Sequence, residues 1–152
     1  MQYYYSYQTP VGELWIVEEQ KFIVTVEFVL AVGGMEKKET ELIKKTYQQL
    51  TEYFDGKRKT FDIPIKLTGT PFQQRVWEAL KTIPYGEIWS YKRLAETVGC
   101  PKGYRAVGMA NNRNPISIII PCHRVAGSNG TLVGYAGGIE KKKWLLDREW
   151  EG

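Results

Sequence analysis

In this 152-residue chain the spacing of apolar residues changes near residue 68. Of the features of the sequence, this change restricts the possible folds most. Before it, two runs rich in β-branched and aromatic residues are typical of short strands: 9–19 and 21–30. After it, apolar residues recur mainly at three- and four-residue spacing, which is typical of helices. We therefore predict an α+β chain with an N-terminal sheet domain, 1–67, and a mostly helical domain, 68–152.

Sequence signals for helices add further elements to both predicted domains. A helical pattern from about 38 to 54 follows the predicted strands, and Pro64 keeps the extended connector after it out of a central strand position. Thr70 and Pro71 are a good N-cap and first-turn pair for the next helix. Four helices are predicted in the second domain: 70–83, 91–98, 102–112 and about 140–150. The middle two are short and joined by a glycine-containing turn, which predicts a helix-turn-helix.

Composition narrows the class of protein. The chain is 43% hydrophobic and 25% charged, as folded soluble domains are, and it has no apolar run of about 18 residues that could span a membrane. The start lacks a basic segment followed by an apolar stretch, so we expect no secretory signal and a cytoplasmic location. The net charge of +4 mildly favours a polyanionic partner.

The chain has two cysteines, Cys100 and Cys122, and a single histidine, His123. These cannot supply the four ligands of a usual structural zinc site, so we expect no metal, and we expect both thiols to be free. Cys122 is either a buried cysteine on a strand or a thiolate activated by the adjacent base. Neighbouring residues on a strand point to opposite faces, so activation requires a bridging water or a sharp turn.

The second helix of the predicted helix-turn-helix has few side chains that could contact base edges. Its centre carries Ala106 and Gly108 among other small residues, with Arg105 as its only long polar side chain. Such a helix either packs closely against a neighbour or approaches DNA without recognising a base sequence. In the second case, Arg105 could occupy the gap left by an extruded base.

Four segments in this order and spacing resemble the C-terminal domain of the O6-alkylguanine-DNA alkyltransferases. They are PYGEIWSYKRLA, RAVGMANNRNP, IPCHRV and GYAGG followed by KWLL and a glutamate, within 84–149. The resemblance covers residues 1–67 only in outline. It implies a ribonuclease H-like N-terminal domain, a winged-helix-like C-terminal domain, and DNA repair by a single, stoichiometric transfer of the alkyl group from O6-alkylguanine, and from O4-alkylthymine, to the protein.

Matching positions carry roles that the resemblance implies. Cys122 accepts the alkyl group, His123 takes its proton through a water, and Glu149 orients the imidazole. Tyr91 crowds the target phosphate and donates toward the departing guanine, and Asn114 holds the turn before the active strand. The implied DNA contacts come from Arg105, Tyr91, Ala106, Gly108 and Ser128. The implied pocket for the flipped base is lined by Tyr135, Ala136, Gly137, Gly138 and Ser117.

The same resemblance implies no cofactor and a monomer that binds double-stranded DNA through the minor groove, largely independently of sequence. Two positions depart from the family pattern: Ala136 stands where many relatives have serine, and Tyr104 replaces a small residue. Three alternatives remain: a lesion-binding relative without transfer activity, a cysteine hydrolase using Cys122 and His123, and a transcription regulator. The first class lacks the acceptor cysteine, hydrolases usually bring the histidine from a distant segment, and the helix is poor in base-contacting side chains.

Overall fold

The structure is a computed structural model that describes residues 1–127, 132, 134–135 and 137–151. Ser128 and Ala136, both expected at the site, lie outside these residues. The chain forms two compact units, Met1–Leu67 and Thr68–Gly152. A sheet with one helix makes up the first and four helices dominate the second, which confirms the α+β fold class. No helix within the described part of the chain is both long and apolar enough to cross a membrane.

The first unit is a four-stranded sheet covered by one helix. The strands are β1 (Gln2–Thr9), β2 (Gly12–Glu19), β3 (Phe22–Glu27) and β4 (Glu36–Lys37), in the spatial order β3-β2-β1-β4. Only the β1–β4 pair is parallel. Helix α1 (Glu41–Phe54) packs on β1, β2 and β3, and the Thr40 side chain caps its first turn.

Two sequence-based expectations for this unit were wrong in detail. The tyrosine-rich start forms the full strand β1, and the chain turns between Thr9 and Gly12, where the first strand was expected to begin. The turn between β2 and β3 lies at Gln20 and Lys21, which both have positive φ, as a tight hairpin turn requires. The polar residues 18–20 of the sequence predict this turn one or two residues earlier.

The second unit is built around a helix-turn-helix. Its helices are α2 (Pro71–Leu80), α3 (Tyr91–Thr97), α4 (Tyr104–Asn112) and α5 (Ile139–Glu151), with a small parallel pair of strands, β5 (Trp89–Ser90) and β6 (Val125–Ala126). Thr70 and Gln73 form a complete capping box on α2. Helix α2 packs on α4, where the Trp77 indole donates to the carbonyl of Ala110 at 2.8 Å.

The apolar run at 116–120 does not form a regular strand, and Cys122 does not lie on one. Ile118 has a φ of +73°, and the Ile120 amide donates back to the Ile116 carbonyl at 3.0 Å, so the run folds into a compact turn. The next segment, Cys122–Arg124, is a single 3₁₀ turn that leads into β6. The expectation of an active strand was therefore wrong.

Candidate active site

Cys122 opens the 3₁₀ turn and is 5% exposed. Its amide donates to the Ile120 carbonyl at 2.8 Å, and the Arg124 amide donates to the Pro121 carbonyl at 3.0 Å. In this turn the side chains are not held on opposite faces as they are in a strand. The sharp turn that the adjacent cysteine and histidine required is therefore present.

His123 pairs with Glu149 of helix α5. Its Nε2 lies 2.6 Å from Oε2 of Glu149, and both side chains are buried. Burial lowers the pKa of His123 and outweighs the opposite effect of Glu149, so the imidazole is neutral near pH 7. Because the carboxylate accepts, Nε2 carries the donated proton, and Nδ1 is the basic nitrogen of the ring.

Glu149 accepts hydrogen bonds from several of the described residues. Besides His123, the Arg124 guanidinium donates to both carboxylate oxygens, at 2.8 and 3.0 Å, and the Gly86 amide donates at 3.1 Å. Burial alone would raise the pKa of Glu149, but His123 and Arg124 outweigh it and hold this pKa at about 2. The carboxylate is therefore ionised and can stabilise an imidazolium.

Arg124 has a structural task that sequence reasoning missed. Its third bond goes to the Ile83 carbonyl at 2.7 Å, so this buried guanidinium ties the end of the α2 segment to α5 as well as to its own turn. The fixed fork of an arginine suits such a two-oxygen contact. Its position beside Cys122 and His123 was the only available signal in the sequence.

Two asparagines hold the backbone around Cys122. The Asn114 amide donates to the Ile120 carbonyl at 2.7 Å and accepts from the Ile116 amide at 3.0 Å, so it closes the apolar turn. Asn111, which sequence reasoning did not select, donates to the Cys122 carbonyl at 3.4 Å.

Tyr91 begins α3 and lies close enough to Cys122 for the charge of an ionised thiol to act on its phenol. Burial raises the pKa of the Tyr91 phenol, the Cys122 charge adds to this, and the Asn111 contact opposes it. Gly108 of α4 faces the same ring, since a Cβ there would lie 3.8 Å from it. The structure thus brings Tyr91 to the cysteine, as the site requires.

Lys142 is a second residue that sequence reasoning missed. It lies on α5, is fully buried, and is close enough to Cys122 and His123 for their charges to interact. Burial lowers its pKa to about 8, and an ionised Cys122 partly counters this. The available signal in the sequence was its spacing: Lys142 lies three residues before Leu145 and seven before Glu149, on the same face of the predicted helix.

The remaining predicted residues that the structure describes lie on α4, in the apolar turn and just before α5. Arg105 and Ala106 are exposed on α4, beside the exposed apolar side chains Tyr104 and Met109. Ser117 is buried within the apolar turn. Gly137 and Gly138 precede α5, and the Gly138 amide donates to the Tyr135 carbonyl at 2.9 Å. Within the described ranges, no group of three His, Cys, Asp or Glu side chains could hold a metal ion.

Comparison with known proteins gives two family matches that together span most of the chain. Residues 71–151 match the DNA-binding domain of 6-O-methylguanine DNA methyltransferase, and residues 2–67 match its ribonuclease-like domain.

Relatives that match nearly the whole chain are also methyltransferases of this kind. The constitutive methylated-DNA–protein-cysteine methyltransferase of Bacillus subtilis is 49% identical, with 98% of this chain and 96% of the relative covered. The Methanosarcina acetivorans methyltransferase is 43% identical, with 97% of each chain covered. The crystal structure of Mycobacterium tuberculosis OGT in complex with DNA has a TM-score of 0.93 and 40% identity, covering 98% of this chain and 93% of that one.

Proposed function

The chain belongs to the family of 6-O-methylguanine DNA methyltransferases, and from that premise we propose that it repairs DNA by taking the alkyl group of O6-alkylguanine onto the sulfur of Cys122. The observation that carries this assignment is the buried series Cys122, His123 and Glu149, in which a neutral imidazole is oriented by an ionised carboxylate. A thiolate is the competent nucleophile, and an adjacent base produces it.

The reaction balances without a cofactor. The Cys122 proton passes through a bridging water to Nδ1 of His123, and Glu149 stabilises the imidazolium. The thiolate attacks the alkyl carbon in line, a carbon–sulfur bond forms, and the bond between that carbon and O6 breaks with its electron pair going to guanine. Tyr91 donates a hydrogen bond to the departing base, which takes up a proton from solvent to become guanine while the imidazolium of His123 releases one. The resulting thioether is stable to hydrolysis, so each chain reacts once.

The target carbon cannot be reached inside a duplex, so the nucleotide must be turned out of the base stack. The exposed Arg105 on α4 supports a role in filling the gap, and the small Ala106 and Gly108 allow close approach in the minor groove. We propose that Ser128 contacts a backbone phosphate and that Tyr135, Ala136, Gly137, Gly138 and Ser117 surround the flipped base. We also propose a cytoplasmic monomer with sequence-independent binding and activity on O4-alkylthymine.

A lesion-binding protein without transfer activity is the alternative within this fold. It is not favoured, because such a protein has no use for a cysteine beside a neutral imidazole and an ionised carboxylate.

The test is a stoichiometry measurement with duplex DNA labelled in the methyl group of O6-methylguanine, supplied in excess. Label on the protein should rise to a plateau of one methyl per chain, and Cys100→Ser should reach the same plateau. Continuous release of a soluble labelled product would identify a hydrolase instead, and DNA binding without any transfer would identify the lesion-binding alternative.

A further inference from the structure

Asn111 is a buried amide beside the proposed acceptor, and it has no part in the mechanism above. It lies in the last turn of α4 and is 1% exposed. Its side chain lies 3.4 Å from the carbonyl oxygen of Cys122, which belongs to the peptide that joins Cys122 to His123. The amide therefore contacts the backbone between the residue that releases the proton and the residue that takes it.

The contact with this carbonyl decides the direction of the amide. A carbonyl oxygen can only accept, so the atom that faces Cys122 is Nδ2, which donates. The other polar atom of the amide, Oδ1, can only accept a hydrogen bond. It is buried, and no donor among the described residues reaches it. Because a buried acceptor without a donor destabilises the fold, such a group usually binds an ordered water.

The proton relay of the proposed mechanism needs a water with a defined orientation. That water accepts the proton of the Cys122 thiol and gives one of its own protons to Nδ1 of His123. Its other proton takes no part in the transfer and needs an acceptor, since both residues are buried. An acceptor at this proton would hold the water in the orientation that the relay requires.

We propose that Asn111 is a positioning residue: its Oδ1 accepts a hydrogen bond from the water that carries the Cys122 proton to His123. The inference rests on the proposed function, because the relay belongs to that mechanism. The bond from Nδ2 to the Cys122 carbonyl holds the amide against the turn, so its acceptor keeps a fixed position. The step balances, since the thiol becomes a thiolate, the imidazole becomes an imidazolium, and the water still has two protons afterwards.

The test is the pH dependence of methyl transfer in Asn111→Leu, a change that removes the acceptor at similar volume. Rate constants are measured in single turnovers at saturating O6-methylguanine duplex DNA, so that differences in DNA affinity do not contribute. Near pH 7 the variant should be about tenfold slower than the wild type, because formation of the thiolate then depends on the relay. At about pH 10, above the ordinary thiol pKa of about 8.5, the thiol ionises without the relay and the two rates should converge.

Other charged or titratable groups around Cys122 are the same in both proteins, so the ratio of the two rates at each pH removes their effects. They are His123 and Arg124 of the 3₁₀ turn, Tyr91 of α3, and Lys142 and Glu149 of α5. Gln49→Met is the matched control, since it removes another buried amide, which bonds to the backbone of Asp62 in the first unit. Its rate should match the wild type at every pH.

The outcomes separate a role in the relay from a role in packing. A loss of the same size at every pH, or no loss near pH 7, would show that Asn111 does not act through the relay. Should Asn111→Leu unfold, Asn111→Met tests the same point with a more adaptable apolar side chain.

A crystal structure of the wild type gives an independent check. A water should lie within hydrogen-bond distance of Oδ1 of Asn111, and a protein donor in its place would contradict the inference. Wild-type protein that takes up no methyl group would contradict the proposed function itself. Normal methyl uptake without the pH-dependent loss in the variant would contradict only the present inference.

Discussion

Two opposite charges meet beside His123, and the positive charge of Arg124 adds to the effect of burial in keeping the imidazole neutral. The Arg124 guanidinium donates hydrogen bonds to both oxygens of Glu149. The negative charge of this carboxylate is therefore paired with the positive charge of Arg124 even when His123 is neutral. If Arg124 were absent, Glu149 would favour a protonated His123 more strongly, and the imidazole would be a poorer acceptor for the Cys122 proton. His123 and Arg124 are thus adjacent in one 3₁₀ turn with different tasks: His123 accepts the Cys122 proton, and Arg124 pairs with the carboxylate of Glu149.

Lys142 is the residue whose replacement should separate electrostatics from proton transfer. Lys142→Met removes a buried positive charge near Cys122, so the thiolate is less stabilised and transfer should slow about tenfold at pH 7, as for a change of one pKa unit in the thiol. Because the pKa of Lys142 is about 8, the advantage of the wild type should shrink as the pH rises above that value. The measurement is the single-turnover rate as a function of pH.

The neighbouring lysine provides the control for this experiment. Lys143 is exposed and pairs with Asp147 at 2.7 Å, so Lys143→Met removes the same charge from the same helix without changing the surroundings of Cys122. Its rate should match the wild type throughout. An unchanged rate in Lys142→Met would show that this charge does not act on the thiol.

Among the secondary-structure elements, the N-caps of the helices could be predicted from the sequence, but the turn that leads to Cys122 could not. Thr70 and Ser90 accept hydrogen bonds from their N3 amides, as local sequence signals for the starts of α2 and α3 indicate. The apolar run before Cys122 has the composition of a buried strand, but Asn114 closes it into a turn with bonds to Ile116 and Ile120. Bonds between a side chain and backbone groups two and six residues away leave no periodic trace in the sequence.

Arg105 of helix α4 should act on the DNA and not on the chemistry. Arg105→Ala should slow transfer from duplex DNA about 10- to 100-fold, because filling the base stack offsets the few kcal/mol that extrusion costs. Reaction with the free base O6-benzylguanine has no stack to open, so it should stay close to the wild-type rate. Both rates are measured in single turnovers, with the DNA at saturation.

Arg75→Ala is the matched control, since Arg75 is also exposed but lies on α2, stacked on Phe72. It removes the same charge and should leave the ratio of the two rates unchanged. Equal losses on duplex and free base in Arg105→Ala would place this residue in the chemistry or the fold instead.

Across the whole molecule, the change from strand to helix patterns near residue 68 predicts two domains, while the pairing of distant residues is not visible in the sequence. The chain divides into the compact units Met1–Leu67 and Thr68–Gly152. The contacts of Glu149 with Gly86 and Arg124 join segments that are 63 and 25 residues apart. Such contacts depend on the tertiary fold. The sequence therefore indicates which residues could make them but not which residues they contact.

Stability should depend on pH through the first unit as well. Burial raises the pKa of Glu27, at the end of β3, to about 7, so the native state binds a proton that the unfolded state has already released. This contribution to stability is full below an unfolded pKa of about 4.5 and is lost as the pH rises through about 7. Glu27→Gln should therefore be more stable than the wild type at pH 8, by about 1 to 2 kcal/mol, and equal to it near pH 4.

The free energy of unfolding in urea at several pH values checks this prediction. Glu36→Gln, at an exposed position of the same sheet, should show no such pH-dependent difference. A constant difference between Glu27→Gln and the wild type across this range would contradict the buried, protonated carboxyl.

The assignment of Cys122 as the acceptor is tested most directly by the intact mass of the protein after incubation with O6-methylguanine duplex DNA, followed by peptide mapping. The wild type and Cys100→Ser should each gain the mass of one methylene group, a methyl replacing a proton, and the gain should map to Cys122. Cys122→Ser should bind the same DNA and gain nothing. A methyl group found on Cys100 or His123, or taken up by Cys122→Ser, would contradict the proposed mechanism.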